Sequence, residues 1–454
     1  MGTYNVTMQK PRHARRGGSG SLEVIIGFGL VLLIGTILLS LPWAAEDRTA
    51  THPFDALFTA VSALCVTGLV LFDTQSHWSF FGEAVLVVLF QIGGLGYMMG
   101  TSLLLWLLGR QLGLRDRYML SRYYGAPSMG ETLHFARNIA LFALIFEVGG
   151  MIALYIAFVS EDVGAGTAVW WSIFHAVSAF NNAGFSITGA DLLPFVNDAP
   201  VLLIVSTLIV FGGIGAVPVL ALIRRRSFGR LPLDSKLIYL TTAVLLVVAT
   251  VYFLVIEGDN PATLGRADGA HRPLVAFFQA VTPRTAGFSA VDINSMHDES
   301  KFFHMTLMLI GGAAGGTAGG IKVGTFAILG FAMYAALRGS SEVRALGRSV
   351  PLQVVFQAVT IALLAVGVAF LASLWLLVTT DEAQGIDVVF DVLSAIGTVG
   401  LSTGVTERAS RVAQAVLIPA MLLGRFGPLL LVLEMTRRRH KSTFRAPEDS
   451  IRLG

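Results

Sequence analysis

Four short tracts of this chain combine residue type and spacing in a way that could do chemistry, and each centres on a glycine. They run Phe58-Thr-Ala-Val-Ser-Ala-Leu-Cys-Val-Thr-Gly68-Leu69, Phe174-His-Ala-Val-Ser-Ala-Phe-Asn-Asn-Ala-Gly184-Phe185, Phe278-Gln-Ala-Val-Thr-Pro-Arg-Thr-Ala-Gly287-Phe288 and Phe390-Asp-Val-Leu-Ser-Ala-Ile-Gly-Thr-Val-Gly400-Leu401. Self-similarity of this kind marks a structural repeat. The chemistry it suggests is cation dehydration. A filter that strips water from a cation presents a ring of backbone carbonyls inward, and turning successive carbonyls one way needs dihedrals open to glycine. Gly68, Gly184, Gly287 and Gly400 would each supply a carbonyl for a K+ ion. Val66 and Thr67, Asn182 and Ala183, Thr285 and Ala286, and Thr398 and Val399 would add further carbonyls. The apolar residue after each glycine would wedge the loop in place. No acidic residue lies between Val66 and Gly68 or in the three matching segments. That suits a monovalent ion, because divalent ions favour carboxylate cages. The ordinary alternative for a single loop is a glycine that ends a short helix; four aligned copies count against it. Asp73, Asp191 and Asp292 follow the glycines by a few residues, where they could attract cations to a mouth or cap the next helix.

The elements that position these tracts are read from hydropathy. Of 454 residues, 54% are hydrophobic and 13% charged, about half the charged share of a soluble domain. Eight apolar stretches, near 22–42, 80–108, 138–159, 200–223, 235–256, 302–337, 351–378 and 411–436, are long enough to cross a bilayer, which takes roughly 20 helical residues. Between the members of each pair lies a shorter segment, at 54–67, 170–183, 273–286 or 387–399. These are too short to span and predict re-entrant pore helices and loops. The expected fold is therefore an all-α membrane protein of four helix–pore-loop–helix repeats, with pseudo-fourfold symmetry about one pore. The expected divisions are an N-terminal segment 1–21, repeats at 22–108, 138–223, 235–337 and 351–436, and a tail 437–454.

Basic residues set the orientation. Lys10, Arg12, Arg15 and Arg16 precede the first span. Arg110, Arg115, Arg117, Arg122 and Arg137 follow the second, and Arg224, Arg225, Arg226, Arg230 and Lys236 follow the fourth. Arg338, Arg344 and Arg348 follow the sixth, and Arg437, Arg438, Arg439, Lys441 and Arg445 close the chain. Glu46, Asp47, Glu161, Asp162, Glu257, Asp259, Asp381 and Glu382 fall on the other side. Both termini are thus expected in the cytoplasm of a cell-membrane protein, with the first apolar segment retained as an anchor because nothing resembles a cleaved signal peptide. The net charge of +3 reports this topology and not a nucleic-acid partner. One cysteine, Cys65, and nine scattered histidines offer neither a disulfide framework nor a catalytic constellation, so the chain is not expected to be an enzyme. His175 reads as a packing histidine.

The second helices carry their own glycines: Gly93-Gly94-Leu95-Gly96, Gly212-Gly213-Ile214-Gly215 and Gly424-Arg425-Phe426-Gly427. Small residues here permit close approach or a kink. Arg425 stands where the first two repeats have glycine. An intramembrane arginine is a functional candidate; here it would be a positive charge on a cation path, or else the partner of an acid such as Glu147. In the third repeat, Gly311, Gly312, Gly315, Gly316, Thr317, Gly319, Gly320 and Lys322 belong to a tract too glycine-rich for a stable helix. Irregular backbone at membrane depth must be buried in protein or line water, so this tract predicts a gate. A nucleotide cradle would need Gly-Lys-Ser/Thr, which is missing.

Val-Thr-Gly-Leu, Asn-Asn-Ala-Gly-Phe-Ser, Arg-Thr-Ala-Gly-Phe-Ser and Thr-Val-Gly-Leu-Ser, together with Gly-Thr-Ala-Gly-Gly-Ile-Lys-Val, closely resemble the Trk/Ktr/HKT superfamily of potassium transporters over roughly residues 20–440. Because only a short polar stretch precedes the first span, the chain looks most like the KtrB membrane subunits of that superfamily. The resemblance implies a homodimer in which each protomer has its own pore. It also implies potassium import with sodium as a coupling or activating ion, and a cytoplasmic KtrA-like ring that binds ATP or ADP. Membrane lipid is the surrounding partner, and no organic cofactor is implied. It further implies that the gate is the glycine tract with Arg425. Serine in place of the first filter glycine goes with sodium selectivity in HKT relatives, so glycine at 68 implies potassium. From another class, an alternating-access carrier of a small solute would show two repeats around a midplane site, whereas this chain shows four.

Overall fold

The computed structural model describes residues 20–96, 132–380 and 384–437. The basic residues at 110–122, the far half of the second span, Asp381, Glu382 and most of both termini lie outside them. Repeat 1 comprises α1 (Gly20–Ser40), the pore helix α2 (Pro53–Leu64), a one-turn α3 (Thr74–His77) and α4 (Phe80–Gly94). Repeat 2 comprises α5 (Thr132–Ser160), the pore helix α6 (Ala165–Asn181), α7 (Ala199–Ile214) and α8 (Ala216–Arg225). Repeat 3 has α9 (Leu233–Ile256), the pore helix α10 (Arg272–Val281), α11 (Asp298–Met308) and α12 (Val323–Leu337). Repeat 4 has α13 (Leu352–Thr379), the pore helix α14 (Gly385–Gly397), a one-turn α15 (Val405–Arg408) and α16 (Arg411–Arg437). A two-residue hairpin, β1 (Arg344–Ala345) with β2 (Arg348–Ser349), joins repeats 3 and 4.

Among the described residues, Arg137–Ser160, Leu233–Ile256 and Leu352–Thr379 are each long and apolar enough to cross a membrane. On the last two, Val247, Leu363 and Phe370 are 64–68% exposed, as suits a surface covered by lipid or by another protein. The pore helices are placed by local signals. Pro53 and Pro273 sit in first turns, where a missing N–H costs nothing. The His52 ring also accepts from the Phe54 N–H. The phenylalanine that opens each repeated tract (Phe58, Phe174, Phe278, Phe390) is completely buried, with Phe278 and Phe390 in one apolar cluster and Phe58 and Phe174 in two others.

Two expected spans are not single helices. The stretch 200–223 divides at Gly215 into α7 and α8, which meet at 88°. The stretch 302–337 begins at Asp298 and is interrupted between Met308 and Val323, where the glycine density defeats the helix. The first break has a steric cause. Gly215 has φ +77°, and a Cβ on it would stand 2.7 Å from the Gly315 carbonyl oxygen and 2.9 Å from Gly316 Cα. The chain must turn there because the glycine tract of repeat 3 occupies the straight path. Gly215→Ala should therefore lower the melting temperature of the detergent-solubilised protein, by the equivalent of roughly 1–3 kcal/mol. Gly149→Ala, where a Cβ meets nothing within 4 Å, should leave it unchanged or raise it.

Candidate cation pathway

Each pore helix runs into its loop through the same backbone sequence. Val66, Asn182, Thr285 and Thr398 have φ of 57°, 58°, 70° and 51°, and two residues later Gly68, Gly184, Gly287 and Gly400 have φ of 86°, 71°, 79° and 101°. In repeats 1, 2 and 4 the first of these residues closes the helix in a Schellman pattern. The N–H groups of Thr67, Ala183 and Val399 reach back to the carbonyls of Ser62, Ser178 and Ser394, each at 2.8 Å. The N–H groups of Val66, Asn182 and Thr398 bond to the carbonyls of Ala63, Ala179 and Ala395 at 3.0–3.1 Å. The shared glycine is thus not the residue that ends the helix. That position is held by Val, Asn or Thr, at a cost of about 1–3 kcal/mol each, leaving the glycine free for the loop.

The four glycines close a ring. A Cβ on Gly68 would lie 2.6 Å from the Ala183 carbonyl oxygen and 2.9 Å from Gly184 Cα. On Gly184 it would lie 2.9 Å from the Ala286 oxygen and 3.1 Å from Gly287 Cα. On Gly287 it would strike the Val399 oxygen, with Gly400 Cα at 3.2 Å, and on Gly400 the Thr67 oxygen, with Gly68 Cα at 3.1 Å. Each repeat therefore meets the next, and the fourth meets the first, with a backbone carbonyl at every junction. Leu69, Phe185, Phe288 and Leu401 are buried behind the ring, as expected of wedges.

Side chains of the pore helices fasten the loops, a role that sequence reasoning did not assign. Ser178 Oγ donates to the Phe185 carbonyl (2.8 Å) and accepts from the Phe185 N–H (3.2 Å). Thr282 Oγ1 donates to the Phe288 carbonyl, and Ser394 Oγ accepts from the Gly400 N–H at 3.0 Å. The signal was present: a Ser or Thr four residues after the phenylalanine in all four tracts. Asp391, fully buried, accepts from Ser402 Oγ (2.8 Å), the Thr403 N–H (2.9 Å), and the N–H (2.8 Å) and hydroxyl (2.6 Å) of Thr406. His175 is buried in packing as expected, but its Nε2 also meets Ser186 Oγ at 2.9 Å, so it anchors the second loop as Asp391 does the fourth.

Of the three aspartates beyond the glycines, Asp73 caps α3 by accepting from the Ser76 N–H at 2.9 Å. Asp292 accepts from the Asn294 N–H (3.0 Å) and Ser295 Oγ (2.6 Å) in a local turn. Asp191 accepts from the Ser289 N–H of the next repeat, and burial pushes its carboxyl up to about 8. These contacts favour structural roles.

On the other side of the ring, the glycines of the second helices allow direct packing on the ends of the pore helices. A Cβ on Gly93, Gly212 or Gly424 would collide with the carbonyl of Leu64, Phe180 or Ile396, the residue two before the left-handed corner in each case. Arg425, one residue on, spans between repeats. Its guanidinium donates to the Thr317 carbonyl through Nη1 and to the carbonyls of Gly93 (2.5 Å) and Gly94 (3.4 Å) through Nη2. Glu147 instead accepts from Gln91 Nε2 and Asn181 Nδ2, both at 3.1 Å. Lys322 donates to the Ala318 carbonyl at 2.5 Å. The glycine tract is an ordered loop, held by bonds from the N–H groups of Ala313 and Thr317 to the Gly213 and Gly212 carbonyls (2.8 and 3.0 Å), and by a pairing of Ile310 with Ile321.

A four-repeat, pore-loop membrane protein with a closed carbonyl ring is the class these features define. The chain belongs to the TrkH family of cation transport proteins, whose family profile matches residues 9–442. It is 35% identical over 429 residues to the Ktr system potassium uptake protein B of Bacillus subtilis, covering 94% of this chain and 95% of that one. It is also 35% identical to the potassium/sodium uptake protein NtpJ of Enterococcus hirae, over 99% of this chain and 100% of the relative. The crystal structure of the potassium transporter TrkH from Vibrio parahaemolyticus shares the fold, with a TM-score of 0.69, 20% identity, and coverage of 95% of this chain and 88% of that one.

The bonding of the loops generates a graded expectation. Ser178→Ala removes two hydrogen bonds and should cost about 1–2 kcal/mol of stability. Ser62→Ala, which removes a buried hydroxyl without a hydrogen-bond partner among the described residues, should cost much less. Thermal denaturation followed by size-exclusion chromatography distinguishes the two.

Proposed function

We propose that this protein imports potassium across the cell membrane, with Val66–Gly68, Asn182–Gly184, Thr285–Gly287 and Thr398–Gly400 as its selectivity filter. The observation that carries the proposal is the ring itself: four loops that share a left-handed corner and a positive-φ glycine two residues on, closing glycine to glycine with carbonyls at each junction. Carbonyl dipoles replace the hydration shell of a weakly hydrated monovalent ion. The names of the two curated relatives, a potassium and a potassium/sodium uptake protein, support this cargo and a role for sodium as coupling or activating ion.

The tract from Gly311 to Gly320, with Thr317, Lys322 and Arg425, is the gate in this proposal. Arg425 ties the Thr317 carbonyl of repeat 3 to the Gly93 carbonyl of repeat 1, placing a fixed positive charge beside a path for cations. A water-sized cavity of about 20 Å³ lies beside Thr317, lined among others by Phe142, Phe180, Gly215 and Gly316. The working unit is a homodimer of separately conducting protomers with cytoplasmic termini. A KtrA-like, ATP- or ADP-binding ring controls the gate from the basic side, in keeping with the Ktr naming of the relative.

The test is tracer uptake into proteoliposomes for potassium, rubidium and sodium. Wild type should prefer potassium and rubidium, and Gly68→Ser should raise the sodium share. Absent potassium uptake, or selectivity unmoved by the substitution, would overturn the filter assignment. Arg425→Ala should raise potassium flux about tenfold, the effect of lowering a barrier by roughly 1.4 kcal/mol; unchanged or lower flux in a folded variant would count against the gate.

A further inference from the structure

The four left-handed corners of the ring are held by non-glycine residues, three of them β-branched: Val66, Thr285 and Thr398. A β-branched residue at positive φ is a conformational outlier that persists only where its surroundings over-determine it. The surroundings on the pathway side prove to be largely one segment. Thr317 Oγ1 shares its single proton between Asn182 Oδ1 and the Phe180 carbonyl, each at 3.0 Å, and so grips the corner of repeat 2. In repeat 3, Arg284 Nη2 donates to the Gly311 carbonyl at 3.2 Å, and a Cβ on Gly311 would stand 3.4 Å from Thr285 Cγ2. In repeat 4, Gly319 lies so close under Thr398 that any Cβ there would strike the threonine hydroxyl. Repeat 1 is reached indirectly, because Arg425 joins the Thr317 carbonyl to Gly93, whose added Cβ would come within 2.9 Å of Val66 Cγ2.

We propose that the glycine tract is the floor on which the strained corners of the filter rest, so that potassium selectivity depends on the tract as well as on the ring. Taken with the filter and gate reading above, on which it rests, this makes the gate part of the filter. A tract that leaves its seat releases the corners at Asn182, Thr285 and Thr398 together, and the ring then loses its fixed spacing. Arg284 and Thr317 become positioning residues for selectivity: neither supplies one of the filter carbonyls, and each acts through a neighbouring corner. A plug that merely blocks the path predicts the opposite, with flux changing and selectivity constant.

The experiment measures the sodium-to-potassium uptake ratio of the full chain in proteoliposomes. Thr317→Val keeps the shape and removes the hydroxyl donor; it should raise the ratio about fivefold, in proportion to a lost hydrogen bond. Thr317→Ser, which restores the donor, should return the ratio to that of wild type. Arg284→Gln, acting on a different corner, should also raise it and serves as an independent probe should the valine variant not fold. Flux that rises or falls equally for both ions in Thr317→Val and Arg284→Gln would overturn the coupling while leaving the filter and gate intact. A wild-type protein without preference for potassium would instead remove the filter reading itself, and the coupling with it.

Discussion

The structure depends on holding backbone carbonyls in an arrangement that no regular element provides. A helix or strand spends its carbonyls on its own hydrogen bonds. A loop that offers them to an ion must take support from elsewhere. Here a left-handed corner followed two residues later by a positive-φ glycine, as at Val66 and Gly68, recurs in every repeat, and the surrounding fold supplies what it lacks. The pore helix contributes its last carbonyls and, in repeats 2 to 4, a Ser or Thr hydroxyl that fastens the loop. The second helix contributes a glycine, as at Gly93 or Gly424, so that backbone packs on backbone. The buried residue after each ring glycine fills the space behind.

Symmetry fails where regulation is proposed. Gly94 and Gly213 correspond to Arg425 in the fourth repeat, and in the third the helix gives way to the tract between Met308 and Val323. These departures meet: the arginine bonds to the tract at the Thr317 carbonyl and to the first repeat at Gly93. The loop anchors differ as well, with His175 on Ser186 in one quarter and Asp391 on Ser402 and Thr406 in another. Four copies of a ring-forming tract therefore rest on unequal supports.

Much of this was legible in the chain. The repeated tracts, the all-helical membrane architecture and the interruption after Met308 follow from hydropathy and from glycine's cost in a helix. The details that escaped are tertiary. Nothing local tells Val66, Thr285 or Thr398 to adopt positive φ, since β-branched residues avoid it; packing imposes it. The 88° break at Gly215 comes from the Gly315–Gly316 backbone a hundred residues away. The serines of the pore helices were visible as a pattern, but a pattern does not reveal which carbonyl a hydroxyl meets.

The most direct test of the proposed filter is ion occupancy. Crystals grown in potassium and exchanged into thallium or rubidium should show anomalous density on the axis of the ring, within coordinating distance of the carbonyls of Gly68, Gly184, Gly287 and Gly400 and of the residues before them. Sodium should not displace that density at equal concentration. A ring without a bound ion, or thallium density found only outside it, would contradict the account.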